Sequence, residues 1–261
     1  MTKRKEVLLL LTGYPPDHAG AGSRIHKQYL RLNAVSDIFS WTVITKRENA
    51  DTVFLDGPKG IITPPFPKNV RLPAVISCLI EFLWALAQLK RGVLKNIDFV
   101  HLAGWSFYML PIVYFAHKKG IRIIREMVTT GDTGFKPSFG ASLIRATNNL
   151  SSTFIAISPT IRDLFLKTSA GREADVWVRP NPVDMSVFKL PSFDSKRAAR
   201  SFFNKASPKV KLYENDIVVG MLGRIRLSKG QDLLIDAFAK LPKNYKLLIV
   251  GPSFSNDDYF H

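Results

Sequence analysis

The sequence predicts an α/β fold in two units: a complete parallel-sheet domain followed by an incomplete second one. Three observations carry this. Apolar runs of strand length alternate with stretches of helical periodicity from residue 6 to residue 179, and such alternation gives a parallel sheet with helices laid against it. The pattern stops in a polar, basic stretch, residues 190–215, and restarts at 216. Residues 216–252 then read as one more strand–helix–strand unit, which implies a parallel pair joined by a right-handed crossover. The expected boundaries are 1–189 for the first domain, 190–215 for a basic linker and 216–261 for the start of the second domain.

Bulk properties fit this. The chain has 261 residues, 46% of them hydrophobic, which supports a sizeable core and excludes a disordered protein. Cys78 is the one cysteine, so no intrachain disulfide forms and a reducing compartment is allowed. The net charge of +16 favours anionic partners, either acidic lipid headgroups or nucleic acid, and names neither. The N-terminal lysines and arginine precede a short apolar run that ends in Tyr14-Pro15-Pro16 without a small-residue cleavage site, which reads as a first strand rather than a signal peptide.

Glu6–Thr12 is a continuous apolar run, as expected of a parallel strand covered on both faces. A glycine loop follows with Gly20 and Gly22, then a helix over Ser23–Leu32. The third glycine of a dinucleotide fingerprint is missing. Phe39–Thr45 is a second strand, and residues 47–73 are loop around a short strand. Residues 72–89 approach the length of a membrane span, but Pro73, Glu81, Gln88 and the following Lys90-Arg91 favour a helix packed on the sheet or touching a membrane surface. Asp98–Leu102 is a strand carrying His101, followed by a helix over Ser106–Lys118. Ile121–Met127 is the next strand, with Glu126 near its end and Thr129 and Asp132 beyond it. A helix over Phe139–Leu150, a strand over Thr153–Ser158, a helix over Pro159–Lys167 and a strand over Val176–Arg179 complete the first domain. Ends of parallel strands are where open α/β sheets bind ligands, so His101 is a candidate site residue. A short basic helix, Lys196–Phe203, lies in the linker.

The restart contains a buried strand (Ile217–Leu222), a basic glycine loop (Gly223–Gly230), a helix (Gln231–Leu241) and a second buried strand (Lys246–Val250). Leu233, Leu234, Ala237, Phe238 and Leu241 share one helical face. Ser228 with Gln231 three residues on has the form of a capping box. Arg224 and Lys229 fall at or just before the helix N-terminus, where free N–H groups and the helix dipole already favour an anion. This reads either as a phosphate or diphosphate site or as an ordinary strand–turn–helix with two solvated cations.

Gly223-Arg224, Lys229-Gly230, the apolar helix and the strand Leu-Leu-Ile-Val-Gly-Pro together resemble the opening of the C-terminal domain of retaining glycosyltransferases of family 4, enzymes with the GT-B fold. The pair Gly20 and Gly22 after the first strand, the His101 strand, Ala156-Ile157-Ser158 and Asn181-Pro182-Val183-Asp184 with Phe188 are similar to family segments in the same order. The resemblance implies two Rossmann-like domains and transfer of a sugar, with retention, from a nucleotide-diphosphate sugar bound between them to a glycan or lipid-linked acceptor. It implies that Arg224 and Lys229 offset charge on the leaving diphosphate. Glu126 is taken as the third catalytic residue, and Gly20, Gly22, His101, Asp132, Ser158, Asn181 and Gly223 as donor or acceptor contacts. The family's histidine near the end of the Ile121–Met127 strand has no counterpart here, and Glu126, Thr129 or Asp132 would occupy that space. No metal and no cofactor are expected. The implied setting is the cytoplasm, with an anionic membrane face as a further partner of the basic surface and no specific nucleic acid. The family's E-x7-E segment is expected beyond residue 261, which makes the chain a fragment with a half-built donor site, inactive alone. Two alternatives remain: a non-catalytic basic module for anionic membrane or nucleic acid, and an inactive GT-B partner subunit. No RNA-binding or helix-turn-helix pattern supports the nucleic-acid form.

Overall fold

The computed structural model describes residues 4–15, 20–46, 57–65, 73–136, 138–171, 174–183, 185–186, 188–207 and 211–252. They form two compact units, Met1–Pro182 and Val183–His261.

The first unit is a seven-stranded parallel sheet. In chain order its strands are β1 (Lys5–Leu11), β2 (Phe39–Thr45), β3 (Gly60–Ile62), β4 (Phe99–Ala103), β5 (Arg122–Met127), β6 (Thr153–Ala156) and β7 (Val176–Val178). They lie side by side as β3-β2-β1-β4-β5-β6-β7. The order reverses at β1/β4, the position where such sheets open a crevice at their carboxyl ends. Helices α1 (Gly20–Ser36), α2 (Ala74–Lys90), α3 (Met109–Lys118), α4 (Phe139–Asn149) and α5 (Pro159–Leu166) connect the strands.

The apolar run of β1 has a direct cause. Leu8 and Leu10 pack with Ala85 of α2 and Met109, Ile112 and Val113 of α3. Val7, Leu9 and Leu11 face the other way, onto Ile25 and Tyr29 of α1. A strand with helices on both faces needs apolar residues at every position. Pro111 sits in the first turn of α3, where the missing N–H leaves no helix bond unmade. Helix α1 starts earlier than its sequence pattern suggests, at Gly20, so Gly20 and Gly22 belong to its first turn.

The second unit contains α6 (Phe193–Ala206), β8 (Ile217–Leu222), α7 (Gln231–Phe238) and β9 (Tyr245–Val250), with β8 and β9 paired in parallel. Four expectations are corrected here. Helix α6 is longer than the expected Lys196–Phe203, and in the second unit Asn204 exchanges two hydrogen bonds with Leu212 (2.8 and 3.0 Å) and Arg200 donates to the Asp216 carbonyl. Strands β8 and β9 are half-buried rather than buried, because among the described residues each has only the other as a ladder partner. Ser228 is not the N-cap of α7. A 3-10 turn over Leu227–Lys229 absorbs Ser228, and Gly230, in the left-handed region at φ 71°, becomes the N-cap. Helix α7 ends at Phe238, three residues early, and leaves Leu233 and Leu241 exposed.

Candidate active site

In the first unit the parallel register fixes one polar cluster. His101 of β4 aligns with Ile124 of β5, and Ala103 with Glu126. His101 and Glu126 therefore share the face that α1 covers, since successive strand residues alternate. The Glu126 side chain is fully buried. Its Oε1 meets Arg24 of α1 at 2.6 Å and Arg179, just past β7, at 3.3 Å. Its Oε2 lies 3.2 Å from His101 Nε2. Tyr29 Oη lies 3.1 Å from His101 Nδ1. Gln28 Oε1 accepts from both arginines, at 3.1 and 3.2 Å.

The protonation follows from these partners. Burial alone would raise the Glu126 carboxyl. The hydrogen bond and charge of His101 and the charges of Arg24 and Arg179 overcome it and hold the group at about 2. Burial first, and then Glu126, push the Tyr29 phenol up, so its hydroxyl keeps its proton 3.1 Å from His101 Nδ1. A carboxylate held that low is a weak base at neutral pH. Glu126 acts here as an anchor that holds two guanidinium groups. With one carboxylate and two arginines the cluster carries a net positive charge, and Arg179, 28% exposed, is its most accessible member.

Asp132 has a different place. It lies in a 3-10 turn after β5, where it is buried and already saturated. Its Oδ2 accepts from the backbone of Val128 and Thr129 (2.9 and 2.8 Å) and from the Thr129 hydroxyl, and its Oδ1 pairs with Arg125 at 3.2 Å. Arg125 is fully buried, burial lowers its pKa, and it also donates to the Gly104 carbonyl. Ser158 is the N-cap of α5 and accepts from Ile161 N–H at 3.3 Å. Asn181 is exposed at the end of the unit, and Asp184 lies outside the described residues. Gly22 is needed for packing: a Cβ there would stand 2.0 Å from the Gly13 carbonyl oxygen, whereas one at Gly20 would meet nothing.

In the second unit Gly223 N–H donates to the Val250 carbonyl and Ile225 N–H to that of Pro252. The chain then turns through Leu227–Lys229 to Gly230, which caps α7 without any side-chain hydrogen bond. Gln231 is buried and its Nε2 donates to the Arg224 carbonyl at 2.9 Å, tying the start of the loop to the start of the helix. Gly223, Arg224, Lys229 and Gly230 thus surround one helix N-terminus, with Arg224 half-buried and Lys229 exposed. Among the described residues no group of three or more His, Cys, Asp or Glu could hold a metal ion, and no helix is long and apolar enough to cross a membrane.

The model of Glycosyltransferase Family 4 matches residues 35–187, more than half of the 261-residue chain. The chain belongs to glycosyltransferase family 4. A second model, Glycosyl transferases group 1, matches residues 202–260 of this family 4 chain. Among solved structures the chain is similar to Anabaena Alr3699/HepE in complex with UDP and glucose, at 15% identity and a TM-score of 0.64, over 96% of this chain and 62% of that one. It is similar to the catalytic domain of Starch Synthase IV from Arabidopsis thaliana bound to ADP and acarbose, at 13% identity and a TM-score of 0.65, over 96% and 69%. It is also similar to UDP-GlcNAc 2-epimerase from Neisseria meningitidis bound to UDP-GlcNAc, at 14% identity and a TM-score of 0.55, over 95% and 65%. At such identities the likeness shows the fold alone, and that fold is GT-B. The family 4 chain spans about two thirds of the length of these neighbours. No curated protein matches it.

Of the residues singled out in the sequence of this family 4 protein, the structure brings His101 and Glu126 together in one unit, and Gly223, Arg224 and Lys229 together in the other. Asp132, Ser158 and Asn181 are not part of the Glu126 cluster's bonding. Arg24, Gln28, Tyr29 and Arg179 belong to that cluster and sequence reasoning passed over them. Arg179 carried a usable signal, since it stands between the end of a strand and Pro180. Arg24, on a helix face, carried none.

Proposed function

We propose that this family 4 glycosyltransferase chain takes part in transfer of a sugar, with retention, from a nucleotide-diphosphate sugar to a glycan or lipid-linked acceptor. One observation carries the reading: two cations, Arg224 and Lys229, are gathered at the start of α7, where Gly230 leaves the helix end without a side-chain cap. A helix N-terminus with adjacent cations suits a diphosphate, and the same charges would stabilise it as it leaves. Those charges stand in the role a divalent ion would otherwise fill, so the proposed reaction uses no metal or organic cofactor. The cationic cluster around Glu126 serves the acceptor side by orienting Arg179. A nucleotide-sugar donor and a single free thiol, Cys78, fit a cytoplasmic setting.

The test is nucleotide affinity. UDP, ADP and GDP are titrated by calorimetry into the chain and into an Arg224→Ala/Lys229→Ala variant. The expected result is at least a tenfold weakening for the preferred nucleotide, about 1.4 kcal/mol. Affinity unchanged within tenfold would remove the diphosphate site. Retention is read separately, from the anomeric configuration of the product by NMR.

A further inference from the structure

Helix α2 has apolar residues on both its inner and its outer side. Its buried positions include Glu81 and Gln88, while Val75, Ile76, Leu79, Phe82 and Leu83 point to solvent. Val75, Leu79 and Phe82 follow helical spacing on one stripe, and Ile76 and Leu83 widen it. Exposure reaches 79% at Val75 and stays above half at Leu79 and Leu83. The orientation is fixed from within. Glu81 is ion-paired with Lys46 at the end of β2, accepts from Ser106 Oγ at 2.5 Å and lies 3.4 Å from Tyr108 N–H. Trp84 meets Tyr108 edge to face, at 6.1 Å between centroids. Turning α2 to bury its leucines would break the Glu81 contacts and carry that carboxylate out of its partners' reach. The apolar stripe is therefore held outward by a buried polar anchor.

The surroundings of the stripe are cationic. Tyr114 and Phe115 of the neighbouring α3 are also exposed. Lys90, Arg91 and Lys95 follow the end of α2, and Lys118, Lys119 and Arg122 the end of α3, all exposed. Over residues 74–123 the acidic residues are Glu81, which is buried, and Asp98, which pairs with Lys5 at 3.5 Å. No exposed, unpaired carboxylate lies on this stretch to meet a basic partner.

The geometry points to an anionic bilayer surface as the occupant of the α2 face, with Leu79, Phe82 and Leu83 entering the headgroup–acyl boundary and the cations at the ends of α2 and α3 meeting lipid phosphates. A helix with an apolar face and flanking Lys and Arg lies in that interface plane, and basic clusters near it are drawn to acidic lipids. A second copy of the chain fits less well. A two-fold contact sets the same patch against itself, and would bring the six cations of one copy towards those of the other. The proposal concerns a surface apart from the Arg224 loop and does not depend on sugar transfer.

The experiment is co-sedimentation of the chain with phosphatidylcholine vesicles and with phosphatidylcholine–phosphatidylglycerol vesicles, at low and high salt. Binding is expected to the mixed vesicles, weakened by salt. Leu79→Glu/Leu83→Glu is expected to lower partitioning at least about tenfold, with thermal stability unchanged because both positions are exposed. Lys118→Glu/Lys119→Glu is expected to weaken binding and flatten its salt dependence. Leu79→Trp gives a second readout that does not need a charge inside the stripe: extra fluorescence quenched by brominated lipid, beyond the wild-type signal. No binding to mixed vesicles, or no added quenching at Leu79→Trp, overturns the proposal. So does equal binding by the leucine pair, which would leave only a diffuse electrostatic contact. A dimer broken by the leucine pair, without vesicle binding, overturns it in favour of a second copy.

Discussion

Replacing Glu126 by glutamine removes one charge and little else. Glutamine keeps the shape and can still accept from His101, so it resembles the protonated acid. The carboxyl is held at about 2 against an ordinary 4.5, a difference worth about 3 kcal/mol of folding stability at neutral pH. The sign follows from the direction. A depressed carboxyl stabilises the fold fully above its unfolded value, and that stabilisation is lost as pH falls from about 4.5 through about 2. Glu126→Gln is therefore expected to be less stable than wild type by about 3–5 kcal/mol at neutral pH, the upper end reflecting two guanidiniums left without a counter-charge. The gap should close as the medium is acidified towards pH 2. All four tryptophans, Trp41, Trp84, Trp105 and Trp177, lie in the first unit, so their fluorescence during urea unfolding reports on that unit alone. A gap that stays constant with pH would show a packing effect and refute the electrostatic account, as would a gap below about 1 kcal/mol at neutral pH.

Two glycines close in sequence are expected to behave oppositely. Gly22→Ala places a methyl 2.0 Å from a backbone oxygen that cannot turn aside, and a loss of about 1–3 kcal/mol is expected by urea unfolding. Gly20→Ala meets no atom within 4 Å in a helical turn, and should be neutral or up to about 1 kcal/mol stabilising. Asp132→Ala strips Arg125 of its carboxylate partner in a fully buried setting, so a loss of about 3–5 kcal/mol is expected in the same measurement.

What the sequence made legible was local. Strand β2 occupies the residues its pattern marks, and β1 and β4–β7 lie within a few residues of theirs; β1 is the clearest, because a strand buried on both faces is apolar throughout. The basic loop was legible because glycines and cations stand next to each other in the chain. The Glu126 cluster was not, beyond His101 and Glu126 themselves. Arg24 and Arg179 stand 155 residues apart, and only the strand order, which carries β7 to one edge and lays α1 across β1, brings both to one carboxylate. That α2 packs on the sheet was legible, but which of its sides faces inward was not: it is apolar almost all round, and Glu81 and Gln88 are inside. The start of α7 was misplaced because a 3-10 turn over Leu227–Lys229 precedes it and makes Gly230, not Ser228, the N-cap.

The same internal carboxylates account for the character of the surface. Between residues 57 and 162 the acidic residues are Glu81, Asp98, Glu126 and Asp132, and all but Asp98 are buried. Each buried one holds a cation from elsewhere in the chain: Lys46 for Glu81, Arg24 and Arg179 for Glu126, Arg125 for Asp132. Among the described residues of this stretch the exposed charged side chains are therefore lysines and arginines, while the interior carboxylates are matched. Charge in this stretch is sorted by the fold, with Glu81, Glu126 and Asp132 kept inside to hold Lys46, Arg24, Arg179 and Arg125. The unmatched cations then lie beside the apolar stripe, which gives the membrane proposal a place on the molecule that bulk charge alone could not give it.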